Sequence, residues 1–422
     1  MSNSRIKKNF SSIYLFLILL TIGIRFPIKN YFSSLSVFII LLAFFHHLIF
    51  YFTTNKKFNK KLIKYNLIFS LIILFYTFIA FLNKKLAYPT YPLIILFFQW
   101  TFFLIISNLN YNSIKKTFTS FIILNFGFYI IQVIGALIGS ESLLKLEFIL
   151  AEKSGIEFVS IFPRASGLIT EPSHLSYVLL PIIIISLYNF KDYFLKSAIK
   201  RFVHFFYFFT FSIISYFQLI FTYIIYLIKK INLIKLIKFL LITIVLILIL
   251  SNFDVFFNRI NGINNVFDGD ETKESSILSL QSNLLVMIES IKIHPFFGGG
   301  LTSHRTTYNE FIGSLFPQFT EGGFLGLNQN DASSIYILIL SEFGLVGFFC
   351  FIIFVFKSLF RFHKNLKINI VAYAFTLTLF LLGFRYGNIA SFYILFYLQV
   401  TFMGLAHDNY FKDKTCTIPA QL

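Results

Sequence analysis

Long apolar runs follow one another along the chain, separated by short polar segments. Twelve such runs lie near 11–25, 31–53, 63–82, 88–107, 117–139, 173–190, 202–214, 216–229, 238–252, 332–356, 369–386 and 388–406. A helix rises about 1.5 Å per residue, so most of these runs suit the ~30 Å of hydrocarbon in a bilayer. They do not alternate apolar and polar residues, as membrane strands do. The pattern predicts an all-α polytopic membrane protein with about 12 transmembrane helices.

Composition agrees with this class, since 57% of residues are hydrophobic and only 13% are charged. The first apolar run follows Arg5, Lys7 and Lys8, but no small-residue cleavage site comes after it, so we expect a retained span. The two cysteines, Cys350 and Cys416, have no disulfide or metal-binding spacing. The sequence therefore predicts neither a metal nor a cofactor.

Orientation follows from the basic residues, which favour the cytoplasmic side of short loops. With a cytoplasmic N-terminus, 24 of the 36 basic residues fall in cytoplasmic segments, and fourteen of the 18 acidic residues fall in external ones. The net charge of +18 then belongs to the cytoplasmic face. It favours lipid headgroups as partners and requires no nucleic acid.

The segment 202–228 is short for two spans and long for one. Treating it as a single span would invert every later loop and leave 19 basic residues inside against 17 outside. A hairpin of two short or re-entrant helices keeps the stronger charge bias, so we favour the hairpin.

The resulting plan has six parts. They are spans 1–5 at 1–139, an external loop at 140–172, spans 6–9 at 173–252, a large external loop at 253–331, spans 10–12 at 332–406 and a cytoplasmic tail at 407–422. With both termini cytoplasmic, the large loop between spans 9 and 10 lies on the external face of the cytoplasmic membrane.

The first external loop ends in FPRASGLITEPSHLSY, at 162–177. Arg164 and Glu171 stand before the sixth span, with Pro172 at its first helical position. One hypothesis is that Arg164 holds a phosphate and Glu171 accepts a proton. The alternative is that Glu171 only caps the helix.

The large loop contains a predicted helix at 277–293, followed by the glycine run Gly298–Gly300 and SHRTTYNE at 303–310. Glycines allow backbone to approach a ligand closely. His304 is a candidate general base, Arg305 a candidate phosphate ligand and Tyr308 a candidate sugar contact. A structural role for this segment remains open.

The tenth predicted span carries two acidic residues. Asp331 suits a helix N-cap. Glu342 lies inside an apolar helix, where a charge is costly and usually faces a partner or a cavity. The eleven-residue spacing would place both on one helix face. We therefore expect that face to point into the protein, with Arg385 as the partner.

Three motifs in order carry a family resemblance: RASGLITEPSH at 164–174, FFGGGLTSH at 296–304 and DASSIYILILSEFGLVG at 331–347. Together they resemble the superfamily of O-antigen polymerases and O-antigen ligases, bacterial envelope glycan enzymes. The resemblance implies an inverting, metal-independent glycosyltransferase that acts on oligosaccharides linked to undecaprenyl diphosphate. It also implies membrane lipid as a partner and leaves room for a chain-length regulator protein.

In such an enzyme, arginines hold the donor diphosphate and a base deprotonates the acceptor hydroxyl. The resemblance assigns the first role to Arg164 and Arg305, then Arg385. It assigns the second to His304, Glu171 or Asp331, in that order.

Two alternatives are weighed against a repeat-unit polymerase. Ligases that transfer glycan to lipid A core typically carry a His-Asn pair where this chain has Ser333 and Ser334, which favours the polymerase. A lipid-linked glycan flippase or other transporter would suit twelve spans. However, matched broken helices and intramembrane charges other than Glu342 are not apparent.

Overall fold

A computed structural model describes residues 3–21, 35–54, 58–109, 111–146, 158–159, 162–163, 167–169, 172–188, 197–208, 210, 212–229, 275–315, 328–364 and 366–406. Two short strands, β1 (Phe158–Val159) and β2 (Phe162–Pro163), pair antiparallel. The helices are α1 (Asn3–Thr21), α2 (Leu35–Thr54), α3 (Lys60–Leu82), α4 (Tyr91–Ile106), α5 (Tyr111–Ile138), α6 (Glu141–Lys145), α7 (Pro172–Tyr188), α8 (Ser197–Phe208), α9 (Ile213–Lys229), α10 (Ser275–Ile293), α11 (Ser303–Leu315), α12 (Ile335–Lys364), α13 (Leu366–Leu382) and α14 (Phe392–Ala406).

Eleven of the twelve predicted spans overlap one of these helices. The ninth, 238–252, lies outside the described residues, so the count of twelve stays a prediction. By length and composition, four described helices could cross a membrane, and the other apolar helices are shorter; the four are Leu35–Thr53, Lys60–Leu82, Ser113–Ile138 and Ile335–Lys364. The all-α, multi-span character of the prediction is supported.

Local signals explain several helix starts. The Asn59 side chain accepts hydrogen bonds from the backbone N–H groups of Lys61 and Leu62, at 2.9 and 3.2 Å, and so caps α3. Helix α7 begins at Pro172, as predicted, where the missing N–H costs nothing.

Helices α7, α13 and α14 form the centre of the bundle. Every residue of α14 is buried, and α13 packs against α7, α12 and α14. Large apolar side chains on α2, α3 and α5 are exposed. An apolar exterior around a buried centre is typical of helices that face lipid.

Amide side chains connect three helices near the centre. Asn66 on α3 donates to Gln399 on α14 at 3.3 Å, and Gln99 on α4 donates to Asn66 Oδ1 at 3.0 Å. All three residues are buried. Hydrogen bonds between helices are a common source of association where water is absent, so this network holds α3, α4 and α14 together.

Two separate helices, α8 (Ser197–Phe208) and α9 (Ile213–Lys229), occupy the segment that could have held a single span. The Tyr207 hydroxyl donates to the Ser215 carbonyl at 2.9 Å, and the rings of His204 and Tyr223 lie 6.3 Å apart across the turn. The second helix therefore folds back towards the first, in agreement with the hairpin that the charge distribution favoured.

Part of the predicted external loop 140–172 is held inside the bundle. The backbone N–H groups of Gly167 and Leu168 donate to Gln132 Oε1 and Asn125 Oδ1 on α5, at 2.9 and 2.8 Å. Residues 167–169 are buried. Gly167 has a φ of +57°, and a Cβ there would lie 2.6 Å from the Asn125 carbonyl oxygen, so the close approach requires glycine.

Candidate functional site

Four polar segments meet at one end of the bundle, which we call the polar end: 83–90, 294–310, 328–334 and 383–391. Several hydrogen bonds join them. Asn83 donates to the Gly299 carbonyl oxygen at 3.3 Å, and Tyr88 donates to Asn330 at 3.2 Å. Most of the predicted site residues that the structure describes lie here.

Helix α10 lies beside the outer half of α12 with its polar face inward. Ser279, Asn283 and Ser290 are buried, whereas Leu280 and Leu284 are exposed. The predicted helix is confirmed, but its apolar side points away from the described protein. Small and polar residues between helices, with leucines outside, are typical of a helix in contact with lipid.

The glycine run Gly298–Gly300 packs against a break in α12. Gly344 has φ 65° and ψ −169°, which interrupts the helix. The N–H groups of Gly299 and Gly300 donate to the carbonyl oxygens of Ser341 and Glu342, at 3.0 and 2.9 Å. These carbonyls would otherwise lack helical partners.

The pairing at the break runs in both directions. The N–H groups of Leu345 and Val346 donate to the carbonyl oxygens of Pro295 and Phe296, each at 3.0 Å. A Cβ on Gly300, whose φ is +94°, would lie 2.2 Å from the Ala80 nitrogen. The glycines thus allow close approach to other protein backbone, where the sequence predicted a ligand.

His304 lies in the first turn of α11 and is fully buried. Asn283 Nδ2 donates to the Ser279 carbonyl at 2.6 Å, so its Oδ1 faces the imidazole and accepts from His304 Nε2 at 2.8 Å. His304 Nδ1 then accepts from the Ser341 hydroxyl at 3.0 Å. Both ring nitrogens are occupied by protein groups.

Burial lowers the pKa of His304 to about 3, so the ring is neutral near pH 7. A general base must reach the proton that it removes. The burial and the two hydrogen bonds of His304 argue against the predicted catalytic role and favour a role in positioning α11.

Glu342 is buried just before the break in α12. The backbone N–H groups of Thr302 and His304, at the start of α11, interact with its carboxylate. A negative group at a helix N-terminus is favourable because the free N–H groups carry partial positive charge. Glu342 therefore connects α12 to the N-terminus of α11.

The prediction that Asp331 and Glu342 share one helix face is wrong, because Asp331 precedes the helix. Helix α12 begins at Ile335, and Ala332 and Ser333 have φ values of 52° and 60°, so a helical rotation does not extend back to Asp331. The expected ion pair of Glu342 with Arg385 is not formed between these described residues. Arg385 instead donates to the Ser333 carbonyl at 3.4 Å.

Asp331 and Arg385 both belong to the polar end. Asp331 Oδ1 accepts from the Ser333 N–H at 3.0 Å, which caps the turn 328–334, and the carboxylate side chain is half-buried. A Cβ on Gly387 would overlap the Asp331 carbonyl, so only glycine fits where the turns 328–334 and 383–391 touch. This contact places Asp331 beside the segment that carries Arg385.

Arg305 is linked to the same turn through Tyr88. Its guanidinium carbon is 4.8 Å from the centroid of the Tyr88 ring, and the side chain is half-buried. Tyr88 is in turn bonded to Asn330. The structure therefore brings Arg305, Asp331 and Arg385 to one rim around the turn 328–334.

Tyr308 is fully buried with Val286 and Ile312 in a small apolar cluster. This position supports the structural alternative for Tyr308 over a sugar contact. Arg164 and Glu171 lie outside the described residues, so their predicted roles stay predictions.

The sequence analysis missed the segment between α3 and α4. Lys85 Nζ lies 2.9 Å from Glu310 on α11, and the Ala87 N–H donates to Thr302 at 3.1 Å. Tyr91 donates to Asn388 at 3.0 Å. The available signal was a pair of lysines followed by tyrosines and prolines, KKLAYPTYP at 84–92, in and just after a predicted external loop.

It also missed an aromatic cluster near Arg385. The His174 ring lies 5.3 Å from that of Tyr386 and 6.4 Å from that of Tyr393. His174 and Tyr386 are half-buried. Aromatic rings beside cations at a protein surface offer flat apolar faces, which suit sugar rings.

The rim can hold an anion and accept a proton. Two arginines supply fixed positive charge, and the half-buried Asp331 carboxylate belongs to the turn 328–334 that Arg385 and Tyr88 contact. Among the residues that the structure describes, no group of three or more His, Cys, Asp or Glu side chains is placed to hold a metal ion.

Comparison with known protein families gives a match to part of the chain. Residues 202–352, about a third of the chain, match a family model described as O-antigen ligase. The matched range includes α10, α11, the break at Gly344 and the turn 328–334. No curated protein matches the chain significantly in sequence. The motif order and the helical bundle agree with this match, which supports a relation of this chain to the O-antigen ligase and polymerase superfamily of membrane proteins.

Proposed function

We propose that this protein is a membrane glycosyltransferase that polymerises oligosaccharide repeat units carried by undecaprenyl diphosphate. The product would be an O-antigen or capsular polysaccharide, made at the external face of the bacterial cytoplasmic membrane. The observation that carries the proposal is the rim at which Arg305 and Arg385 border the turn of Asp331. The family match supports it.

In the proposed reaction, a hydroxyl of the acceptor sugar attacks the anomeric carbon of the donor chain. The new carbon–oxygen bond forms on one face while the bond to the diphosphate breaks on the other, so the configuration inverts. Undecaprenyl diphosphate leaves with the bonding electrons. Arg305 and Arg385 stabilise the negative charge that develops on this leaving group.

Asp331 is our candidate for the base that takes the hydroxyl proton. It is half-buried at the rim, whereas His304 is enclosed by α10 and α12. Glu171 and Arg164 remain proposed as a second base candidate and a third cation. A chain-length regulator protein remains an expected partner.

The two serines after Asp331 support polymerisation over ligation to lipid A core. Ser334 donates to the Gly383 carbonyl at 2.7 Å, and the Ser333 hydroxyl shares a hydrogen bond with Ser279. Both are buried and used in packing. The histidine that the resemblance associates with ligases is absent from these positions.

The break in α12 is the one observation that favours a transporter, because interrupted helices often bind ions or substrates in carriers. Here Gly299, Gly300, Pro295 and Phe296 already satisfy the backbone groups at the break. Those groups are therefore not available to a transported ion, which supports the enzyme.

The test is the polysaccharide banding pattern of a strain that lacks this protein. We expect a core with a single repeat unit, and a full ladder after complementation with wild type. Arg305→Ala and Arg385→Ala should each reduce polymer by about 10²-fold, the usual effect of removing one transition-state contact.

Lys292→Ala is the matched control, because Lys292 is an exposed cation on α10 that pairs with Glu289. It should restore the ladder at equal membrane abundance. Loss of even the single capped repeat in the deletion strain would indicate a ligase or flippase. A ladder unchanged by the deletion would reject the proposal.

A further inference from the structure

A groove runs along α12 far from the polar end. Its volume is about 560 Å³, and its lining includes Ile353, Phe356 and Phe360 together with Lys357, Arg361 and Lys364. Phe356 packs against Phe380 of α13, with ring centroids 5.4 Å apart. The lining thus combines apolar side chains with three basic side chains.

The position of the groove along α12 places it at the opposite membrane surface. Gly344 contacts the segment 296–298 at the polar end. At 1.5 Å per residue, Lys357 lies ~20 Å and Lys364 ~30 Å from Gly344 along the helix. The distance to Lys364 matches the thickness of the hydrocarbon, so the end of α12 reaches the far headgroup region, and the long side chain of Lys357 can extend towards it.

The three basic residues share one face of α12, because they are four and three residues apart. Lys357 and Lys364 are exposed, as are Ile353 and Phe360. None of the described residues that line the groove is acidic. A ligand that fills it needs a negative head of phosphate size and apolar chains that extend towards the membrane centre.

We propose that this groove is a binding site for an anionic phospholipid of the membrane leaflet opposite the polar end. The phosphate contacts Lys357, Arg361 and Lys364, and the acyl chains lie over Ile353, Phe356 and Phe360. Clusters of basic residues beside an apolar surface at a membrane face have this lipid preference. The groove lies almost entirely beyond the range matched by the family model, which ends at residue 352.

The experiment is native mass spectrometry of the full-length protein, purified in detergent and offered phosphatidylglycerol and phosphatidylcholine with identical acyl chains. We expect wild type to retain phosphatidylglycerol preferentially. In the triple variant Lys357→Gln, Arg361→Gln, Lys364→Gln, the ratio of retained phosphatidylglycerol to phosphatidylcholine should fall on the order of 10-fold.

The matched control is Lys60→Gln, Lys61→Gln, Lys64→Gln, at the start of α3. It removes three positive charges from another helix end that precedes an apolar span. We expect its lipid ratio to stay within about two-fold of wild type. Inorganic phosphate in excess should not displace the retained lipid, because it lacks the acyl chains.

An equal loss in both triple variants would show a general surface-charge effect and overturn the proposal. No loss in either variant, or release of the lipid by inorganic phosphate, would overturn it as well. If the triple variant does not fold, the single change Lys357→Gln is compared with Lys61→Gln in the same way. Because the readout is lipid retention, failure here would leave the proposed polymerase activity untouched.

Discussion

His304 and Arg305 are adjacent in the chain but occupy opposite environments. The imidazole is enclosed between α10 and α12, while the guanidinium lies over Tyr88 near the surface. Consecutive residues of a helix point about 100° apart, so one turn of α11 sends one side chain inward and the next outward. Both residues suit catalysis chemically, and only their surroundings separate the two roles.

The burial of His304 gives a prediction for stability against pH. The folded pKa, about 3, lies below the value near 6.5 of an exposed histidine. The neutral ring therefore stabilises the fold fully above pH ~6.5, and this contribution is lost as pH falls towards 3. Between pH 7 and pH 5 we expect a loss of about 2 kcal/mol from His304 alone.

Denaturation in detergent at both pH values measures this loss. His304→Gln lacks the titrating ring and should lose about 2 kcal/mol less than wild type over the same interval. The comparison cancels titrating groups that do not contact His304. Equal losses in the two proteins would mean that His304 is not buried in neutral form.

At the scale of elements, the segment 294–301 and α12 satisfy each other's backbone hydrogen bonds. The break at Gly344 frees carbonyl and N–H groups, and the glycine-rich segment supplies partners for both kinds. A buried backbone group without a partner is costly in a membrane. Neither element would therefore adopt this conformation alone.

Gly344→Ala tests this dependence. The φ and ψ of Gly344 fall in a region that is nearly exclusive to glycine, and a Cβ would lie 2.5 Å from the Gly298 nitrogen. We expect a loss of roughly 1–3 kcal/mol in stability, measured by thermal unfolding in detergent.

Gly127→Ala on α5 is the control, because a Cβ there would meet nothing within 4 Å. It should leave stability unchanged or slightly higher, since alanine favours helix more than glycine. A Gly344→Ala protein as stable as the control would contradict the described break.

At the scale of the molecule, the two ends of the bundle differ in chemistry. One gathers the rim of Arg305, Asp331 and Arg385, and the other carries the basic ends of α3 and α12. In the proposed orientation, the rim lies at the external face of the cytoplasmic membrane. The basic ends of α3 and α12 then face the cytoplasm, as basic residues of membrane proteins usually do.

Cysteine labelling of intact cells tests that orientation. In a protein with Cys350 and Cys416 replaced by serine, Lys84→Cys lies exposed at the polar end and Lys61→Cys at the opposite end. We expect a membrane-impermeant maleimide to label the first in intact cells and the second only after permeabilisation. The reverse pattern would invert the topology and place the rim in the cytoplasm.

The sequence by itself predicted most of the helices that the structure describes and the superfamily that the match over residues 202–352 supports. Apolar runs of membrane-spanning length leave few alternatives, because the backbone must satisfy its own hydrogen bonds in lipid. The motif order pointed to the superfamily, and residue type alone indicated arginines and carboxylates as candidate site residues. Pro172 and the helix at 277–293 followed from local signals.

Only the tertiary structure decided which candidates meet and which are enclosed. The glycine run contacts a helix break, Glu342 interacts with the start of α11 and not with Arg385, and α10 turns its serines inward. Lys85 and Tyr88 lie at the polar end although neither belongs to a sequence motif. These outcomes depend on contacts between segments up to hundreds of residues apart, which spacing along one helix cannot specify.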